Sequence, residues 1–192
     1  MIQTERLLLR PLERGDLEWY ARFQVDPHVT RYLTPGGRTL DGDEAARLFE
    51  RALRVYPTDG FGHLAVVRKD DRTPIGRCGL LVWEVDPWRP SSHAEATRAT
   101  EVEIGWMLGR DYWGCGYATE AAVAVRADAF GRLGLSRLVS LIHPDNNASI
   151  RVAEKLGMAR DRVVETRVGR VLVYATPAAT DQSALSRRSS LE

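Results

Sequence analysis

The segment that most constrains this chain is a strand, a glycine-bearing turn and a helix in immediate succession. Residues 101–108 read as a strand, and Tyr112-Trp-Gly-Cys-Gly-Tyr117 follows as a turn. Residues 118–133 then repeat at helical spacing, with Ala118, Ala122, Val125, Ala129 and Leu133 on one face and Gly134 beyond the end. In such a unit the main-chain N–H groups of the turn and first helical turn converge on one point, and the helix dipole adds to them. That makes an anion site over residues 113–118. The same glycines would also serve an ordinary turn. The common nucleotide patterns do not fit: GxxxxGK[ST] is absent, and GxGxxG fails because Thr119 stands three residues after Gly116.

Around this unit the pattern is mixed. Residues 4–12 form an apolar strand ended by proline, Asp16 reads as an N-cap, and a helix from Leu17 should stop before Pro27. A second helix over 41–55 opens on a capping-box-like Asp41 and Glu44. Residues 61–68 and 75–83 predict a hairpin, and 86–100 an inserted loop. A short strand over 138–142, a helix over 147–156 and a hairpin of 163–168 with 171–175, turning at Gly169-Arg170, complete the pass.

Composition sets the class. The chain has 192 residues, of which 44% are hydrophobic and 28% charged, the balance of a globular domain able to bury its own core. One domain over 1–176 is expected, followed by a Ser- and Arg-rich tail over 177–192 expected to be disordered. With 27 Lys and Arg against 26 Asp and Glu, the chain offers no broad nucleic-acid-binding surface. It has no apolar run long enough to cross a membrane, and Glu5, Arg6 and Arg10 fall where a signal peptide needs its apolar core. Cys78 and Cys115 form no CxxC pair and suit a reducing cytoplasm. His28, His63, His93 and His143 make no ligand cluster, so no metal is expected.

Four motifs in order carry a family resemblance over residues 4–176: Thr4-Glu-Arg-Leu-Leu-Leu-Arg-Pro, Glu103-Ile-Gly-Trp-Met-Leu, Tyr112-Trp-Gly-Cys-Gly-Tyr-Ala-Thr-Glu-Ala, and His143-Pro-Asp-Asn-Asn-Ala-Ser149 with Glu154-Lys-Leu-Gly-Met158. Together they resemble the GNAT superfamily of acetyl-CoA-dependent N-acetyltransferases, and the first is typical of the branch of ribosomal-protein N-terminal alanine and serine acetyltransferases. The resemblance implies an α/β fold, a mostly antiparallel mixed sheet flanked by helices and splayed near Leu108. It further implies acetyl-CoA as acetyl donor, with its pyrophosphate on Trp113, Gly114, Cys115, Gly116, Tyr117, Ala118 and Thr119. The pantetheine arm would lie along the backbone of Trp106, Met107 and Leu108, with Asn146 and Ser149 also at the cosubstrate. Cys115 occupies a slot that is often basic in the family. Homodimerisation is a further family trait.

An alkylammonium must lose a proton before it can attack a thioester. Glu103 is the first candidate base, with Glu101 on the same strand face as substitute; an exposed glutamate or an ion pair is the plain alternative for either. Many family members protonate the departing thiol with a tyrosine where this chain has Ala153, so Ser149 becomes the candidate acid. As a residue three past Asn146, a plausible N-cap, Ser149 would also serve the helix end alone. Trp19, Tyr32, Trp83 and Trp88 are candidates for lining an acceptor cleft, or simply core. The expected acceptor is a primary amine, a protein N-terminus or a small molecule. Two alternatives stand beside that. One is an aminoglycoside or other small amine in an acidic cleft to which Glu84, Asp86 and Glu95 contribute, acids that suit a protein N-terminus as well, and the other a non-catalytic module that binds coenzyme A.

Overall fold

The computed structural model describes residues 1–176. The tail expected over 177–192 lies outside the described residues. At the amino end, β1 (Ile2–Gln3) and β2 (Leu7–Pro11) pair antiparallel. Asp16 stands at the expected N-cap of α1 (Leu17–Gln24), but its carboxylate is drawn elsewhere. It accepts from Arg10 at 2.7 Å and from the Trp19 indole and the Glu13 N–H at 2.8 Å. A charged donor outcompetes the helix N–H groups. Pro27 opens the short α2 (Pro27–Thr30), its missing N–H being one the first turn leaves unused.

The helix α3 (Gly42–Asp59) starts on the expected capping box of Asp41 and Glu44. It runs past the expected end at residue 55. Pro57 forfeits only one hydrogen bond there, and the chain closes at Gly60, whose φ of 74° lets its N–H reach the Tyr56 carbonyl at 3.0 Å.

The expected hairpin is β3 (His63–Arg68) with β4 (Pro74–Glu84). Within the segment read as a loop, β5 (Arg89–Ser91) pairs with the end of β4. Sequence alternation does not announce so short a strand. It is pinned by the buried Glu84, whose carboxylate accepts from Arg89 at 2.7 Å and Thr97 at 2.9 Å. The strand β6 (Thr100–Leu108) leads through the glycine turn into α4 (Tyr117–Gly131). Then follow β7 (Val139–Ile142), α5 (Asn147–Lys155), β8 (Ala159–Thr166) and β9 (Gly169–Ala175). The last hairpin turns at Arg167-Val168, not at Gly169-Arg170, because Thr166 Oγ1 accepts the Val168 N–H at 3.2 Å. β8 also starts four residues earlier than expected. As an edge strand it carries the exposed Arg160 and Asp161, which hide the alternation.

These nine strands form one sheet in the order β1-β2-β3-β4-β6-β7-β9-β8, with β5 beside β4. On one face α4 packs Ala122, Val125 and Ala129 against Leu9, Val66, Leu80 and Ile104. On the other, α1 and α3 bring Trp19, Tyr20, Phe23 and Phe49 onto Ala65, Val67 and Met107. A third cluster, centred on Trp83, Trp88, Val139 and Val173, shares that second face toward the β9 side. Between the second and third clusters the face is bare at Gly105, which presents no side chain, while its partner Gly79 is closed over by the Gly62–His63 main chain.

The sheet opens at one seam. β6 and β7 are parallel and share a single register pair, Glu103 with Val139. Beyond it the strands part, and Ser140 Oγ bonds the Ile104 carbonyl at 2.7 Å where a ladder bond would otherwise continue. This is the splay the resemblance implied, beginning at Ile104, four residues earlier in β6 than Leu108.

Candidate active site

The glycine turn has the conformation an anion cradle needs. Gly114 and Gly116 adopt φ of 75° and 83°, a region that penalises side chains, and Gly116 caps α4. The N–H groups from Gly114 through Thr119 donate to no acceptor among the described residues. Six successive free donors at a helix N-terminus are the arrangement that can receive an anion. Trp113, 48% exposed, is tied back by its indole N–H to the Leu108 carbonyl at 2.9 Å. Gly116→Pro deletes one donor and demands φ near −65°, so acetyl-CoA affinity measured by calorimetry is expected to fall at least about 10-fold.

A cavity of about 540 Å³ opens where β6 and β7 part. Glu103, Gly105, Trp106, Asn146 and Ser149 all line it, so the structure brings both candidate catalytic residues together. Met107 and Leu108 are buried in the core and do not line it, which leaves only their main chain to serve a ligand. The turn residues 113–119 lie outside the lining as well. Of the aromatic candidates, Tyr32 and Trp83 face the cavity, whereas Trp19 and Trp88 are core.

Glu103 sits on the cavity floor. Its Oε2 accepts the Trp83 indole N–H at 2.5 Å and its Oε1 accepts the Leu141 N–H at 3.3 Å. Burial pushes the carboxyl up to about 7, against the lowering pull of those two hydrogen bonds and of the Arg77 charge. A carboxylate poised there exchanges protons at neutral pH. Glu101 is engaged otherwise, in ion pairs with Arg162 at 3.0 Å and Arg137 at 3.3 Å, and does not line the cavity.

Residues 6–159 match the family model described as the acetyltransferase (GNAT) domain. The chain belongs to the GNAT acetyltransferase family. It is 34% identical over 174 residues to the uncharacterized protein YkkB of Bacillus subtilis, covering 89% of this chain and 92% of that one. It is 27% identical to the uncharacterized N-acetyltransferase p20 of Bacillus licheniformis, over 89% and 90% of the two chains. Its fold matches the crystal structure of an acetyltransferase from Agrobacterium tumefaciens with a TM-score of 0.73 and 31% identity, over 92% and 93% of the chains. As a GNAT acetyltransferase the protein uses acetyl-CoA as its acetyl donor, and the free N–H row and the open seam fit that group.

Within this GNAT fold, Asn146 is the N-cap of α5, its Oδ1 accepting the Ser149 N–H at 3.1 Å. The Ser149 hydroxyl makes no hydrogen bond among the described residues. Ala153, in the slot of the family tyrosine, is fully buried. Cys115 is exposed and outside the cavity lining, while burial pushes the Cys78 thiol up to about 12. Among the described residues no group of His, Cys, Asp and Glu can hold a metal ion, and no helix is long and apolar enough to cross a membrane.

Three features of the site escaped the sequence. Arg6, from the connection before β2, reaches the cradle: Nη1 donates to the Cys115 carbonyl at 3.1 Å and the guanidinium lies 4.5 Å from the centre of the Tyr117 ring. Glu120, in the first turn of α4, holds Arg6 at 2.6 Å and accepts the Thr4 hydroxyl at 2.5 Å. A guanidinium thus sits at the loop, paired there with Glu120. The third feature is Arg77, which lines the cavity from β4 beside His63. Neither role shows in local sequence, because Arg6 reaches the turn by a side chain from across the fold and Arg77 reaches the cavity through strand pairing. The acids considered for the acceptor cleft do not line this cavity: Glu84 is buried against Arg89, and Asp86 and Glu95 are not in the lining.

Proposed function

We propose that the protein transfers the acetyl group of acetyl-CoA directly to a primary amine, with Glu103 as general base. The observation that carries this is the Glu103 carboxyl, raised to about 7 on the floor of a cavity that opens at the seam of the sheet. Acetyl-CoA supplies the acetyl group as a thioester. The N–H groups of residues 113–119 would hold its pyrophosphate, the main chain of Trp106, Met107 and Leu108 its pantetheine arm, and Asn146 and Ser149 its thiol end. Glu103 takes the proton the amine must lose, and the Ser149 hydroxyl gives one to the departing thiol. Cys115, away from the cavity, takes no part in acyl transfer. The branch-typical opening motif supports a protein N-terminus as acceptor, and two free thiols accord with a cytoplasmic setting. The raised Glu103 favours catalysis over a module that only binds coenzyme A.

The direct test incubates the protein with acetyl-CoA and amines of varied charge, following thiol release and acetylated product together. Amine-dependent release matched by product is expected; binding of acetyl-CoA without amine-dependent release would overturn the assignment. For Ser149 the structure separates two roles, since the cap is the Asn146 side chain. Ser149→Ala is expected to lower saturated turnover about 100-fold with stability within roughly 0.5 kcal/mol of the parent. Asn146→Ala is expected to cost about 1 kcal/mol in thermal unfolding. Parental turnover in Ser149→Ala removes the hydroxyl from the mechanism.

A further inference from the structure

The chain is close to neutral, yet its cavity is not. Five arginines and two glutamates line it, with no lysine or aspartate. Arg38 is answered by Glu44 at 2.6 Å. The other four, Arg47, Arg51, Arg77 and Arg167, make no ion pair among the described residues, and Glu103 is the only lining carboxylate left to face them. A local cation excess of this kind, enclosed by low-dielectric walls, attracts anions and repels polyamines.

Arg77 gives that excess a position. It projects from the middle of β4, where its Nη1 lies 3.0 Å and 2.7 Å from the two ring nitrogens of His63. Burial and the guanidinium hold that imidazole well below its usual value, so His63 is neutral and offers no countercharge. The buried Arg77 Nε has no hydrogen-bond partner. An orphaned donor on a half-buried guanidinium is costly in the free protein and becomes favourable when an oxyanion arrives. The strand register orients the pair that matters. Arg77 faces Met107 and Leu81 faces Glu103, so Arg77 and Glu103 share one face of the sheet, four residues apart along β4. That is roughly 13 Å between main chains, bridged in part by the arginine's own length. Between them lies the bare trough at Gly105, which lines the cavity without a side chain.

Resting on the amine-acetyltransferase reading above, we infer that the acceptor is an amine carrying an oxyanion, a carboxylate or phosphate, on the same molecule, held by Arg77 while its amine meets Glu103. Arg47 and Arg167 at the cavity wall add to the attraction. The chemistry that recognises an aminoglycoside, a polycation, is the reverse of this.

The test measures binding and turnover separately on the protein loaded with coenzyme A or acetyl-CoA. The small-molecule arm compares 4-aminobutyrate and aminoethyl phosphate with 4-aminobutanamide and butane-1,4-diamine. The peptide arm compares Ser-Glu-Ala amide with Ser-Gln-Ala amide, and the stronger arm identifies where the oxyanion comes from. In at least one arm the anionic amine is expected to bind and react about 10- to 100-fold better than its neutral partner. Arg77→Met should collapse that ratio toward one, whereas Arg77→Lys, which keeps a cation, should retain part of it. Thermal melts of both variants establish that they are folded. Equal use of neutral and anionic amines by the parent, or a preference that survives Arg77→Met, overturns the inference while leaving amine acetylation intact. Weakened acetyl-CoA affinity in Arg77→Met with an unchanged ratio also overturns it, since the guanidinium would then serve the cosubstrate. Anion-selective binding with no acetylation of any amine would instead leave the anion site standing and remove the catalytic reading.

Discussion

Glu103→Gln is expected to lower acetyl transfer by about 100- to 10,000-fold at neutral pH while making the protein more stable in alkaline solution. Both effects come from one carboxyl. In the parent, kcat/KM should rise with pH through about 7 as Glu103 loses its proton and becomes able to accept one from the acceptor. The variant should lack that limb and keep only the rise set by the acceptor's own ammonium. Stability moves the other way. The folded value of about 7 lies above the ordinary 4.5, so between those pH values the folded state keeps a proton that the unfolded chain releases. The parent therefore loses stability as pH climbs from about 4.5 to about 7, and the whole penalty is present above 7. Glutamine carries no charge to desolvate and escapes it. One of the two N–H donors from Trp83 and Leu141 then confronts the amide NH₂, which cancels part of the gain. A net advantage on the order of 1 kcal/mol at pH 8.5, shrinking to nothing or reversing at pH 4.5, is expected in thermal melts. Parental turnover across the pH range would remove Glu103 as the base.

Much of the architecture could be read from the chain because its elements carry local signals. The capping box at Asp41, the turn before Pro74 and the helix stop near Gly134 each act within a few residues, and the structure keeps them. The errors fall where long-range pairing overrides local pattern, as in β5, held by the buried Glu84, and in β8, an edge strand whose charged residues mask its alternation. The site divides the same way. Glu103, Ser149 and the glycine turn could be found in the sequence because each lies within a contiguous motif. Arg6 meets the turn across more than a hundred residues, and Arg77 shares a sheet face with Glu103 only through the register of β4 with β6. The value of Glu103 as a base was equally hidden, since it depends on the Trp83 and Leu141 donors and on burial that only the assembled seam creates.

Gly105→Val is expected to lower amine turnover by about 100-fold while leaving the fold as stable as the parent or slightly more so. Gly105 has no positive φ that would reserve the position for glycine. A Cβ built there meets the Glu103 Cδ at 3.8 Å and Oε1 at 3.9 Å, ordinary contacts that demand no backbone shift. Glycine in a strand interior forgoes packing and carries an entropic cost, so a β-branched residue should contribute about 0.5 to 1 kcal/mol of stability. The same methyl groups would stand in the trough beside the base, in the space through which the acceptor nitrogen reaches Glu103. Displacing a reacting group by about 1 Å is enough for a loss of this size. Gly105→Ala, with one carbon in ordinary contact, should lose less than about 10-fold. The graded pair distinguishes the trough from a structural requirement at this position. If glycine were needed for folding, melting temperature and turnover would fall together, whereas a filled trough lowers turnover alone and leaves acetyl-CoA affinity at the distant glycine turn unchanged. Full activity in Gly105→Val would show that the acceptor approaches Glu103 by another path.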